Sequence, residues 1–169
     1  MVAQGITTIA LALLAASGIS KALDPDPTRG ALKAARLPSF TALVIVLGVL
    51  EVVAAVAGIV AGGRWLAVAA VLYLGFSMFT LAAVWGRIPV QSCGCFGRDD
   101  TPPTPLHIVY NIAATAAIGY LILTDQQAVP WSNSGIEVAL FIGLSLIGAY
   151  LSYLALSQLP RTLSMLSPR

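Results

Sequence analysis

The chain has 169 residues, of which 58% are hydrophobic and 9% charged, with a formal net charge of +2. Soluble domains carry about 25% charged residues, so a chain with a mean hydropathy of +0.89 lacks the side chains for a water-exposed surface. The small charge, with no basic stretch interleaved with aromatic residues, excludes an obvious nucleic-acid-binding protein. Two cysteines cannot form the disulfide framework of a small secreted domain. Composition therefore predicts an integral membrane protein.

Five apolar stretches are long enough to cross a bilayer, whose core of about 30 Å needs about 20 residues of helix. They cover residues 5–23, 39–61, 65–86, 106–123 and 135–157, and none contains an internal proline. The first resembles a signal peptide in length, but no Lys or Arg precedes it, so we expect it to be a retained helix. The predicted fold class is all-α, a polytopic transmembrane helix bundle.

The connection after the first span carries a basic face. Arg29, Lys33 and Arg36 fall at i, i+4 and i+7, which places them on one side of a short helix, while Leu32 and Ala35 lie off that side. This pattern favours an interfacial helix that lies against lipid headgroups. The alternative is a docking face for an acidic partner.

The distribution of Lys and Arg predicts the orientation of the chain. With five spans, eight of the nine basic residues fall on one side of the membrane and Arg64 alone falls on the other. Because cytoplasmic connections carry an excess of Lys and Arg, we expect an external N-terminus and a cytoplasmic C-terminus. The residues on the basic side are Lys21, Arg29, Lys33, Arg36, Arg87, Arg98, Arg161 and Arg169.

Both cysteines lie together in the connection between the third and fourth spans. Cys93 and Cys95 can reach disulfide distance only if the backbone bends, and Gly94 between them allows that bend. Such a small ring is strained and easily reduced, which suits exchange rather than stapling. Arg98 and His107 would favour the thiolate form if the connection folds back over them. Metal binding and two ordinary cysteines are the alternatives.

Glu51 stands near the middle of the second span, about 18 Å along the helix axis from Ser39. A charged acid in lipid costs at least about 2.5 kcal/mol, so the side chain must face the bundle, be protonated, or both. It is either a neutral carboxyl that hydrogen-bonds another helix, or a proton acceptor or ligand for a headgroup or quinone. We expect it to face the fourth span, where Asn111 and Thr115 lie at accessible depths.

Two patterns predict contacts between spans. His107, Asn111 and Thr115 are spaced four residues apart and form one polar stripe along the fourth span. Interhelical hydrogen bonding explains most of the stripe, whereas His107 also lies close to the cysteines. A ridge of small residues in the second span predicts close packing against a neighbour: Ala54, Gly58 and Gly62.

Taken together, these residues resemble the MauE branch of the MauE/DoxX-like family of redox-associated membrane proteins. The specific part of the resemblance is Cys93-Gly94-Cys95-Phe96-Gly97, and the whole covers roughly residues 1–125. The supporting positions are Lys21, Leu23, Asp24, Pro25, Leu37, Pro38, Glu51, Phe79, Thr80, His107 and Asn111. The resemblance implies a four-helix core similar to that of vitamin K epoxide reductase over residues 1–125, with residues 126–169 adding a fifth transmembrane helix and a short tail.

The resemblance also implies a function. The chain would be a membrane thiol-disulfide oxidoreductase that exchanges electrons through Cys93 and Cys95 with a thioredoxin-like partner and supports maturation of disulfide-containing proteins, as in methylamine utilisation. His107 would tune the thiolate, Glu51 and Asn111 would line a polar, cofactor-binding pocket, and a quinone would accept electrons by analogy. The alternatives are a non-catalytic assembly subunit and a soft-metal site formed by Cys93, Cys95 and His107.

Overall fold

The described part of the chain contains five hydrophobic helices, the number that the sequence predicted. A computed structural model describes residues 1–86, 88 and 103–158, which contain six helices and no strand. The helices are α1 (Val2–Leu23), α2 (Asp26–Ala34), α3 (Thr41–Val60), α4 (Arg64–Val84), α5 (Pro105–Leu123) and α6 (Gly135–Ser157). All except α2 are long and apolar enough to cross a membrane. The predicted class, an all-α polytopic membrane bundle, is confirmed.

Four of the spans pack in a ring. α1 contacts α3, α3 contacts α4, α4 contacts α5, and α5 returns to α1, while α6 packs on the outside of α1. The ring encloses an apolar core of small and branched side chains, including Leu11, Leu14, Ala54, Leu66 and Ile118. Because α1 and α4 separate α3 from α5, side chains of α3 meet α1 before they can meet α5.

The helices α1 and α3 approach each other closely at two glycines. A Cβ atom on Gly48 of α3 would lie 2.6 Å from the carbonyl oxygen of Gly18 in α1, and a Cβ on Gly18 would overlap the Gly48 carbonyl oxygen. Small residues allow backbones to approach in this way in membranes. In the predicted ridge, Gly58 does pack against Leu11 and Leu66, but Gly62 lies beyond the end of α3 with a φ of 62°.

The connection from α5 to α6 is tied to the other spans at the end of the bundle remote from α2. The Thr8 hydroxyl donates to the carbonyl of Ala128 at 2.9 Å, and the Trp131 indole donates to the carbonyl of Ile59 at 3.2 Å. α6 then begins with a capping box, in which Ser134 and Glu137 each bond the backbone N–H of the other. These bonds fix the end at which α6 enters the bundle.

The short basic helix predicted after the first span is present as α2. Arg36 lies beyond the helix, however, because α2 ends at Ala34, and the Arg29 guanidinium bonds Asp26 at 2.7 Å and the carbonyl of Ser39 at 3.1 Å. Lys33 is exposed, and Arg36 follows the helix with a φ of 58°. The interfacial position of α2 and the orientation of the termini stay predictions.

Candidate functional site

A buried ion pair joins α1 to α3. The Lys21 ammonium lies 2.9 Å from Glu51 Oε2, and the two side chains are 3% and 0% exposed. Lys21 stands in the last turn of α1 and directs its side chain inward, whereas Glu51 stands ten residues into α3, about 15 Å along its axis. Two opposite charges thus enter the bundle together, which is how buried charges are normally tolerated.

Further groups complete the surroundings of the pair. The Lys21 ammonium also donates to the Ser17 hydroxyl at 2.5 Å and lies 5.2 Å from the centroid of the Phe76 ring. An aromatic face at that distance attracts a cation. The second carboxylate oxygen of Glu51, Oε1, is buried and has no hydrogen-bond partner within the part of the chain that the structure describes. The cation is therefore well surrounded, while the carboxylate keeps one free acceptor.

The prediction that Glu51 is buried in the bundle is confirmed, but the prediction that it faces the fourth span is wrong. Glu51 lies inside the bundle, but its partner is Lys21 of α1 rather than a polar group of α5. The Thr115 hydroxyl instead donates to the backbone carbonyl of Asn111, within its own helix, at 2.8 Å. The physical reason is the order of helices in the ring, which places α1 between α3 and α5.

A second, smaller site lies between α1, α4 and α5. It is a cavity of about 30 Å³ whose polar lining includes Ser17, His107, Tyr110 and Asn111. His107 Nδ1 lies 2.9 Å from the hydroxyl of Thr104, and this contact orients the ring. His107 Nε2 is buried without a partner among the described residues. A cavity of this size can hold a water molecule, which needs at least about 10–15 Å³ and polar partners.

Ser17 connects the ion pair to this polar cavity. Its hydroxyl accepts from the Lys21 ammonium and also lines the cavity that contains His107 and Asn111. Asn111 lines this cavity and Glu51 does not, so the predicted pocket shared by Glu51 and Asn111 stays a prediction. From the sequence, Lys21 was used only for the orientation and the family resemblance and Ser17 not at all, although their spacing of i and i+4 on α1 places them on one face.

The predicted thiol site falls on residues 89–102. Cys93 and Cys95 lie outside the described residues, in the connection that leaves α4 and enters α5 two residues before His107. Within the described ranges, no group of three His, Cys, Asp or Glu side chains could hold a metal ion. The soft-metal site of Cys93, Cys95 and His107 therefore stays a prediction, as does the thiol chemistry.

Comparison with known proteins supports the resemblance noted in the sequence. A family model described as methylamine utilisation protein MauE matches residues 1–124. The chain belongs to the MauE family. The match includes the four-helix ring, the ion pair, His107 and Asn111, and it leaves α6 outside. No curated protein and no solved structure matches the chain, so the likeness to the vitamin K epoxide reductase bundle stays a prediction.

Proposed function

We propose that this MauE-family protein is a membrane thiol-disulfide oxidoreductase whose Cys93 and Cys95 exchange electrons with a thioredoxin-like partner. One thiolate attacks a sulfur of the partner's disulfide, forms a mixed disulfide and releases a partner thiolate. The second thiolate then attacks the mixed disulfide, which leaves a Cys93–Cys95 disulfide and a fully reduced partner. The reverse sequence reduces Cys93 and Cys95 and oxidises the partner. Such exchange would support maturation of disulfide-containing proteins, as the family link to methylamine utilisation suggests.

The observation that carries the proposal is the state of His107. This side chain is 4% exposed, lies in the first turn of α5, and follows Cys95 by twelve residues. One ring nitrogen is held by Thr104, and the other is buried without a partner in the described part of the chain. An imidazole that is oriented on one side and free on the other is suited to take a proton from a thiol.

The first experiment is trapping of thiols in native membranes. Wild-type protein should interconvert between dithiol and disulfide forms under mild oxidants and reductants without unfolding. A Cys95→Ser variant should accumulate a mixed disulfide with its partner through Cys93, since the resolving thiol is gone. Cys93→Ser is the matched control, because it removes the other thiol of the pair. Thiols that stay reduced under every mild oxidant, together with full function in both serine variants, would exclude the redox function.

The second experiment tests His107 directly. We expect a His107→Gln variant to react with iodoacetamide at neutral pH about tenfold more slowly than wild type, because the thiols lose their proton acceptor. Asn111→Ser, one turn further into α5, is the matched control and should keep the wild-type rate. If both variants react like wild type while the cysteines still trap a partner, His107 has no part in activating the thiols.

The same variants separate the rival functions. A metal site of Cys93, Cys95 and His107 predicts that one bound ion disappears in each cysteine variant and that no partner is trapped. A non-catalytic assembly subunit predicts that neither cysteine variant changes the activity of the system. A quinone stays the proposed electron acceptor by analogy, and it would take two electrons and two protons from the dithiol to give a quinol and a disulfide.

A further inference from the structure

A second cavity, much larger than the polar one, shares Phe76 with it. It has a volume of about 260 Å³ and lies between α2, α3 and α4. Nearly all of its lining is apolar, with Leu32, Leu47 and Phe79 among its walls. The Lys21 side chain forms part of its inner wall, but the ammonium itself is held by Glu51 and Ser17. The cavity therefore offers packing for hydrocarbon and little hydrogen bonding.

The length of the cavity matches one leaflet of a bilayer. Along α4 its lining runs from Val71 to Thr80, nine residues apart, which is about 14 Å of helix. Half of a hydrocarbon core of about 30 Å is about 15 Å. The Thr80 end is the end closed by α2, through Thr28 and Leu32. A linear chain could therefore enter beside α2 and reach the middle of the bilayer.

Unpaired cations stand at the α2 end. Lys33 directly follows Leu32, which lines the cavity, and Arg36 lies three residues further on. Both are exposed, and neither forms an ion pair with any described residue, unlike Arg29, which is held by Asp26. Basic side chains at the end of an interfacial helix attract anionic headgroups. The exposed cations and the depth of the cavity both suit a molecule with an anionic headgroup and a hydrocarbon chain.

We propose that this cavity is a binding site for one anionic phospholipid. An acyl chain occupies the space between α3 and α4, and the headgroup phosphate contacts Lys33 and Arg36. The acyl chain gains van der Waals contacts with the apolar walls of the cavity. His107 is not among the residues that line this cavity, and its occupancy does not depend on the proposed thiol chemistry.

The experiment is lipid binding to the purified full chain, measured by native mass spectrometry with phosphatidylglycerol and with phosphatidylcholine of the same acyl chains. We expect one phosphatidylglycerol to bind at least about tenfold more tightly than phosphatidylcholine, a difference of about 1.4 kcal/mol. Gly75→Leu should abolish this binding, because Gly75 lines the cavity and an added Cβ meets no protein atom within 4 Å. Gly143→Leu in α6 makes the same change where a Cβ also meets nothing, and it should leave binding intact.

Two further variants keep the test decisive if Gly75→Leu does not fold. Val71→Trp shortens the deep end of the cavity, so it should weaken long-chain phosphatidylglycerol more than the short-chain form. A Lys33→Gln/Arg36→Gln double variant should remove the preference for phosphatidylglycerol and leave phosphatidylcholine unchanged. Equal binding by wild type, Gly75→Leu and Val71→Trp would overturn the proposal. So would tight, selective binding of a quinone that phosphatidylglycerol does not displace.

Discussion

Removing both partners of the Lys21–Glu51 pair should destabilise the bundle less than the sum of the two single removals. Lys21→Met leaves a carboxylate that is 0% exposed, with the Ser17 hydroxyl as a remaining partner and one oxygen without a partner among the described residues. Glu51→Gln leaves an ammonium that still has the Ser17 hydroxyl and the Phe76 ring. The two single variants are therefore not equivalent, although they break the same contact.

The structure also predicts which of the two single substitutions lowers the free energy of unfolding more. Breaking a buried pair from one side typically costs about 3–5 kcal/mol, because an uncompensated charge remains. Lys21 lies two residues from the end of α1, so in Glu51→Gln its long side chain can extend toward the membrane surface. Glu51 lies about 15 Å inside α3 and has no such route. We expect about 3–4 kcal/mol for Lys21→Met and about 1–2 kcal/mol for Glu51→Gln.

The assay is reversible unfolding in mild detergent of the wild type, the two single variants and the double variant. The double variant should be more stable than the sum of the single effects predicts, with a coupling energy of about 2 kcal/mol or more. Hydrogen bonds between neutral groups in membrane proteins average only about 0.6 kcal/mol. A coupling energy of about that size would therefore indicate an uncharged pair. Additive single effects, or a larger cost for Glu51→Gln than for Lys21→Met, would refute the reasoning.

Two further predictions concern packing and orientation. Gly18→Ala should lower stability by about 1–3 kcal/mol, because its new methyl group meets the backbone of α3, whereas Gly5→Ala in the same helix, with no atom within 4 Å, should have almost no effect. Equal unfolding midpoints for these variants would contradict the close approach of α1 and α3. Reporters that are active on one side of the membrane, fused beyond Ser157, should locate the C-terminus in the cytoplasm, and external activity there would reverse the orientation derived from the basic residues.

The sequence predicted the helices well because bilayer thickness and backbone hydrogen bonding leave few alternatives. A run of about 20 apolar residues must cross the membrane as helix, so the five spans follow from length and hydropathy alone. The burial of Glu51 followed from the same physics, since a carboxylate cannot face lipid at low cost. Neither inference depends on which helices are neighbours.

The partner of Glu51 could not be predicted, because it depends on which helices are neighbours in the bundle. Polar residues on the fourth span lie at a suitable depth, but the ring order places α1 beside α3. Lys21 was counted among the basic residues of one membrane side because it stands near the end of a span. The structure buries it against Glu51, so it no longer argues for the orientation. Removing it from the eight still leaves seven basic residues against Arg64, and the predicted orientation keeps its basis.

Residues in contact with the ion pair line both cavities. Lys21 lines the apolar cavity, Ser17 lines the polar one, and Phe76 lines both. Hydrocarbon offers no hydrogen-bond partners, so a polar group in the wall of the apolar cavity must be satisfied from within the protein. The Lys21 ammonium meets this requirement through the Phe76 ring, Ser17 and Glu51. A lysine can therefore line an apolar cavity without an unpaired cation in contact with hydrocarbon.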